Sequence, residues 1–392
     1  MYGELKAKFE RQYGRAAEYI FSAPGRTELG GNHTDHQHGL VLAAAVTLDT
    51  KAAAAENNDG CIRVMSEGYA PVTVPIDELE KHPEERNTTA ALVRGVAAGF
   101  LRRGYGVRGF DAYVVSDVLP GSGLSSSAAF EVLIGTVINA LSGGALSPAE
   151  IARIGQYAEN EYFGKPSGLM DQTASAVGGI VAIDFADPGA PVITPVEFDF
   201  AECGYALCII DSGADHAELT EEYAAITNEL KAVCRVFGKE HLREVDEHEF
   251  YARIAEVRRA AGDRAVLRAA HVFNENKRCA VETAALDRGD FERYLQLVTE
   301  SGRSSWMYLQ NVIPTGSTAR QELAFALLLC GKLLGGRGAF RVHGGGFAGT
   351  VQAFVPEDML AGFRAGIDSV LGAGSCHVLS IRREGGCMME KM

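Results

Sequence analysis

The 392-residue chain has no apolar run that approaches the roughly 20 residues a membrane-spanning helix needs. Its longest, Leu40–Leu48 and Leu323–Cys330, are far shorter. The N-terminal stretch MYGELKAKFERQYGR mixes charges and contains no apolar core, so a secretory signal is not expected there. Eight cysteines, at 61, 203, 208, 234, 279, 330, 376 and 387, form no Cys-x-x-Cys pair and no Cys/His spacing of the zinc type. Reduced thiols and a cytoplasmic setting are the expectation. No internal repeat and no low-complexity segment is present. Positive charge is scarce: 37 Lys and Arg stand against 51 Asp and Glu, a formal net charge of −14. That balance argues against nucleic acid or an anionic membrane surface as the main partner. It also means that an anionic substrate needs cations gathered locally. Gly-Lys-Ser/Thr is missing, which excludes a Walker A loop.

What remains is a soluble globular composition, 47% hydrophobic and 22% charged, over a length that favours two domains. Strands are expected at Phe110–Leu119, 179–185, Tyr205–Ile210, Gly349–Val355 and Cys376–Ile381, and a polar, proline-containing connection joins the second to the third. Helical periodicity covers 217–238, 249–262, 264–287, 290–302 and 316–334. The boundary falls in 195–205, dividing the chain into 1–203 and 204–392. A further helix starts at Pro148, where Ser147 caps and Glu150 completes a capping box, and Glu159 lies at its far end.

Four segments carry chemistry. Residues 120–131, Pro-Gly-Ser-Gly-Leu-Ser-Ser-Ser-Ala-Ala-Phe-Glu, run from a strand into a helix over Ala128–Leu141. Small residues let backbone N–H groups approach an anion, and the helix start then holds it. Any of Ser125, Ser126 and Ser127 can reach a phosphate or a magnesium ion. Residues 23–36 crowd polar side chains onto a glycine-rich turn, and Asn32, His33 and Asp35 offer donors and acceptors suited to a polyol. In Gly168–Gln172 a lone Asp171 precedes a small-residue helix, a position where aspartate ordinarily caps. His343–Thr350 is a glycine run that permits close backbone packing or ligand approach.

In this order the segments resemble those of the GHMP small-molecule kinases and, among them, the galactokinase family. Residues 25–36 match that family's Gly-Arg-Val-Asn-Leu-Ile-Gly-Glu-His-Thr-Asp-Tyr at seven of twelve positions. Gly121–Ser127 matches Gly-x-Gly-Leu-Ser-Ser-Ser throughout, and Gly344–Gly349 resembles the third motif. The resemblance implies an α+β chain with an N-terminal ribosomal-protein-S5-like domain and a C-terminal ferredoxin-like domain, the sugar lying between them. It implies an ATP-dependent sugar 1-kinase, in which Asp171 is the base and Arg26 its partner. Gly121, Ser122, Gly123, Leu124, Ser125, Ser126 and Ser127 would hold ATP, and Ser127 and Glu159 would hold Mg²⁺. Asn32, His33, Thr34, Asp35 and Tyr223 would contact the sugar. The partners implied are a small sugar and ATP, with a monomer or weak homo-oligomer as the assembly.

Among the five departures from the pattern are Glu28 for asparagine, Gly30 for isoleucine, Asn32 for glutamate and His36 for tyrosine. Gly302 stands where a Ser-His pair usually occurs. Asn32 falls where the family glutamate meets the sugar 6-hydroxyl. A galacturonate or related sugar-acid kinase is therefore the first alternative. A galactose sensor without activity is the second, and it is disfavoured because Ser125–Ala128, Glu159, Asp171 and Arg26 are all present.

Overall fold

The computed structural model describes residues 2–118, 123–214 and 219–392. Twelve strands are present among them: β1 Tyr19–Gly30, β2 Leu40–Glu56, β3 Cys61–Ser66, β4 Val72–Pro75, β5 Phe110–Ser116, β6 Ile180–Asp184, β7 Val192–Val196, β8 Tyr205–Asp211, β9 Ala339–His343, β10 Thr350–Pro356, β11 Cys376–Leu379 and β12 Cys387–Lys391. They form two sheets. The larger runs β12-β1-β2-β5-β3-β4, with β6 paired to β2 and β7 to β6. The smaller runs β11-β8-β10-β9 and is antiparallel throughout.

The long strand β2 splits its partners. Thr50–Glu56 pair with β5, whereas Leu40–Ala44 pair with β6. Along β1 the register against β2 shifts between Pro24 and Arg26, and again between Glu28 and Gly30. Such irregularities bend a strand and re-aim its side chains. They fall on the segment that carries Arg26 and Glu28. All strands of the second sheet come from beyond residue 204, and those of the first from before 203, except β12. This last strand returns to pair with β1, Ile20 opposite Glu390 and Phe21 opposite Met388.

Apolar clusters lie under each sheet, and a third is shared. Leu29, Leu42 and Val118 from the first half pack there with Ile209, Tyr294 and Phe354 from the second. The two halves are therefore welded, and the polar residues between them have fixed positions. The capping box forms as expected: Ser147 and Glu150 satisfy each other's backbone at the start of the helix Pro148–Tyr157. That helix widens into a π-type turn over Ala158–Phe163, closed by Gly164 in the left-handed region. Single-turn widenings of this kind are frequent at functional sites, and this one carries Glu159.

The expected strands at Tyr205–Ile210 and Gly349–Val355 are present within a residue or two. The expected helix 249–262 is instead two helices, Glu247–Ala252 and Ile254–Ala261, broken at Arg253. The 316–334 helix begins only at Glu322. Strands β1 to β4, β7, β9 and β12 had no counterpart in the sequence reading, and residues 23–30, read there as part of a glycine-rich turn, are the buried second half of β1. No helix among the described residues is long and apolar enough to cross a membrane.

Candidate active site

Asp171 sits inside the first turn of the helix Met170–Val177, and its side chain caps nothing. Its carboxylate instead receives Arg26 in a two-point contact, Nε to Oδ1 at 2.6 Å and Nη2 to Oδ2 at 2.8 Å. Ser125 Oγ donates to Oδ2 as well. The remaining Arg26 nitrogen, Nη1, donates to the Gly123 carbonyl, and the Arg26 N–H donates to the Leu124 carbonyl at 3.0 Å. One arginine thus ties the carboxylate to the glycine-rich loop. Burial alone pushes the Asp171 carboxyl up, but the Arg26 charge, its hydrogen bonds, Ser125 and Lys165 outweigh that and hold it below the ordinary aspartate value. Asp171 is an anion across the neutral range, with about a quarter of its side chain exposed.

The three serines divide. Ser125 takes a left-handed backbone (φ 59°) as the residue before the helix Ser126–Leu141, and serves Asp171 rather than that helix start. Ser127 Oγ donates to Glu159 Oε1 at 2.9 Å. Ser126 and Ser127 both line a cavity of about 830 Å³ beside the loop, with Tyr69, Leu92, Val114 and Phe130 among its walls. Leu124 buries its side chain in the cluster between the sheets, so only its backbone faces the loop. Gly121 and Ser122 lie outside the described residues. At Gly123 an added Cβ would stand 2.6 Å from Thr350 Oγ1, so glycine there seats the loop against the fourth motif.

Glu159 is almost fully buried, and each of its oxygens is engaged. Oε1 also receives Lys165 Nζ at 2.9 Å, and Oε2 receives Gln172 Nε2 at 2.9 Å. The same Gln172 nitrogen donates to Glu131 Oε2. Burial, reinforced by Glu159, raises Glu131 well above its ordinary value. Burial lowers the Lys165 ammonium, but attraction to Glu159, Asp171 and Glu131 more than restores it. Lys165 is the local cation the sequence reading called for without naming. Only folding reveals it, because its partners are six residues away or more. Ser127 Oγ and Glu159 Oε1 are hard oxygen donors side by side at a phosphate loop, a set that suits Mg²⁺ completed by water and phosphate oxygens. Among the described residues no group of three or more His, Cys, Asp or Glu converges as a metal cage.

The residues expected around the sugar separate into two groups. His33 and Asp35 remain partly accessible. His33 Nε2 stands 3.0 Å from the Gly345 carbonyl, so Nε2 carries the proton and Nδ1 is left as an acceptor. Burial, helped by His36, lowers His33 to about 4, so it is neutral. Asp35 presses its carboxylate on the Gly168 backbone, where an added Cβ would lie 2.3 Å from Oδ2. Asp35 also lines a second cavity of about 500 Å³ with His36, Gln156, Ser167 and Lys231.

Asn32 and Thr34 are sealed. Thr34 Oγ1 lies between the carbonyls of Gly31 and Leu40. Asn32 has no exposed surface. Its amide donates to Glu28 Oε1 (3.0 Å) and the Gly344 carbonyl (2.7 Å), and its oxygen accepts from Ser305 (3.3 Å) and Asn311 (3.2 Å). Four protein partners fill the side chain expected to reach C6. Tyr223 Oη donates to the Gly346 carbonyl at 2.8 Å, and its ring lies 2.7 Å from where a Cβ on Gly345 would be. Gly345 and Gly346 are therefore packing requirements against Tyr223 and Asn311, whereas Gly344 has open space around it and a left-handed backbone (φ 65°).

A carboxylate clamped by arginine beside a glycine-rich loop and a helix start, on two fused α/β sheets, defines a small-molecule kinase of the GHMP class. The GHMP kinases N terminal domain matches residues 91–179, and the galactokinase galactose-binding signature matches residues 7–56. A galactokinase of Actinobacillus pleuropneumoniae serotype 3 is 33% identical over 91% of this chain and 90% of its own length. One from Glaesserella parasuis serovar 5 is 32% identical over 92% and 91%. The chain belongs to the galactokinase family, and it is a phosphotransferase with an alcohol acceptor. The crystal structure of Lactococcus lactis galactokinase complexed with galactose superposes with a TM-score of 0.83, at 27% identity over 99% of both chains. Methanococcus jannaschii mevalonate kinase, 14% identical with a TM-score of 0.67 over 94% of this chain, shares the fold.

Proposed function

We propose that this protein transfers the γ-phosphoryl group of ATP to the anomeric hydroxyl of galactose, giving galactose 1-phosphate and ADP in the cytoplasm. The observation that carries the reading is the Arg26–Asp171–Ser125 constellation next to the phosphate loop, in a chain matched by a galactose-binding signature.

Asp171 orients the acceptor hydroxyl and takes its proton as the new O–P bond forms and the bond to the ADP oxygen breaks. A carboxylate held below its ordinary aspartate value is a weak base, so proton transfer comes late, once the attacking oxygen has become acidic. Arg26 offsets charge on the moving phosphoryl group while keeping Asp171 ionised. The 830 Å³ cavity has the size and mixed lining for a nucleoside. Ser126 and Ser127 line it, which would direct the phosphates of a nucleotide seated there to the helix start. Ser127 and Glu159 would hold Mg²⁺, which when bound neutralises phosphate charge. Lys165 supplies a second positive charge at the same place. His33 Nδ1 and the Asp35 carboxylate are acceptors for sugar hydroxyls, and Tyr223 braces the glycine run behind them.

The test is an ADP-release screen over galactose, galacturonate, N-acetylgalactosamine, arabinose and glucose. Galactose is expected to give the highest kcat/KM. A higher value for another sugar overturns the substrate, and no ADP release with any sugar overturns the kinase reading.

A further inference from the structure

Relative to the family motif, residues 28 and 32 have exchanged side-chain types. The motif has asparagine first and glutamate four residues on; this chain has Glu28 and Asn32. The structure joins the two directly, Asn32 Nδ2 donating to Glu28 Oε1 at 3.0 Å. Arg341, fully buried on β9, donates from Nη1 to the same Glu28 oxygen at 3.0 Å and from Nη2 to the Glu28 carbonyl at 2.8 Å. Its Nε faces Gln352 Oε1 at 3.3 Å. Gln352 in turn donates to the Glu28 carbonyl and to Thr27.

We infer that Glu28 and Asn32 are one positioning unit in which carboxylate and amide have changed places, clamped by Arg341 and holding the sugar-facing rim at His33 and Gly344–Gly345. The inference rests on the sugar-kinase reading for the meaning of that rim, but the coupling itself does not. Asn32 connects the unit to the rim: its amide holds the Gly344 carbonyl, its oxygen takes Asn311, and Asn311 donates to the Gly345 carbonyl that fixes His33. Its own backbone is pinned as well, the carbonyl by His271 Nε2 at 3.1 Å and the N–H by Glu275 at 3.3 Å. The exchange conserves one carboxylate and one amide across the two positions, so the buried guanidinium keeps its counter-charge. Changing either position alone does not. Glu28→Asn leaves Arg341 with acceptors but no directly bonded carboxylate. Asn32→Glu sets two carboxylates against each other and replaces the donor to Gly344 with an acceptor. Both changes together restore a carboxylate, with the amide of residue 28, Ser305 and Asn311 available as its donors. The neighbouring departure at Gly30 has a different cause. An added Cβ there would lie 1.9 Å from Glu282 Oε2, so any side chain would have to displace that buried carboxyl.

The test is a four-protein cycle: wild type, Glu28→Asn, Asn32→Glu and the double variant. Thermal unfolding is read first, then kinetics with the best acceptor from the ADP-release screen. Each single variant should lose about 5 °C or more in Tm and on the order of 10-fold in kcat/KM, the kinetic loss appearing in the KM for sugar and not in the KM for ATP. The double variant should return to within about 2 °C and about 3-fold of wild type. Losses that simply add in the double variant overturn the inference, and so does a single variant that behaves as wild type. Equal rises in both KM values, or neither, overturn the positioning role. If wild type phosphorylates no sugar, the kinase reading fails, while the Tm cycle still decides the coupling.

Discussion

Two arginine–carboxylate pairs each place one member on β1, and they do opposite things. Arg26 grips Asp171, and Arg341 grips Glu28 two residues further along β1. Both arginines are at least nine-tenths covered. The carboxylates differ: Asp171 keeps about a quarter of its side chain open, whereas Glu28 keeps about a twentieth. Burial is the largest influence on each and raises both. At Asp171 two guanidinium bonds, Ser125 and Lys165 reverse it; at Glu28, Arg341, Asn32 and Arg26 do not, and Glu28 stays above its ordinary value. An ion pair with an open side is a tool for a substrate. A closed pair is a fastener, whose value lies in the cost of removing one partner.

If that contrast holds, substitutions should separate the two pairs. The largest effect is expected from Asp171→Asn, which keeps the shape and loses the proton acceptor. Turnover should fall on the order of 10²-fold or more, with sugar binding by calorimetry largely kept; near-wild-type turnover would place the base elsewhere. Next, Glu159→Gln should raise the Mg²⁺ concentration for half-maximal rate by roughly 5-fold or more, since one charge leaves the donor set. Sugar affinity without nucleotide should stay the same, and an unchanged Mg²⁺ dependence would make Glu159 purely structural. Lys165→Met should raise the KM for ATP by about 3- to 10-fold, because a single exposed cation beside phosphate contributes modestly. The KM for sugar is the control that should not move.

The smallest effect concerns pH. The folded-state pKa of Asp171 lies below its unfolded value, so its contribution to stability is present above the ordinary aspartate pKa and is lost as pH falls through the depressed folded value. The Tm difference between wild type and Asp171→Asn should be flat from pH 8 to about 5 and change only below about 4. A change centred near neutrality would contradict the depressed value.

Much of this site was legible in sequence. Arg26, the loop and Asp171 are picked out by the order of motifs that resembles the GHMP kinases, and the Ser147 capping box and strands β8 and β10 by local pattern. What was not legible depends on side-chain direction. Asn32 sits in a polyol-like loop, yet the turn points it inward, where Ser305 and Asn311 come from more than 270 residues away. Asp171 has the sequence setting of a cap, but Arg26, 145 positions earlier, claims it. Lys165, Glu131 and Gln172 look like ordinary surface or helix residues until the π-type turn at Glu159 gathers them. Strand β7 carries Pro195, β9 buries the charged Arg341, and β12 is Cys-Met-Met-Glu-Lys. None of the three shows clean alternation, because each is defined by what it pairs with.

The most direct check on the whole account is the identity of the product made from galactose and ATP, read by phosphorus and proton NMR. The account predicts a phosphate on the anomeric oxygen, formed by wild type and at most about one-hundredth as fast by Asp171→Asn. A phosphate at any other hydroxyl, or a 1-phosphate made equally fast by the variant, would contradict it.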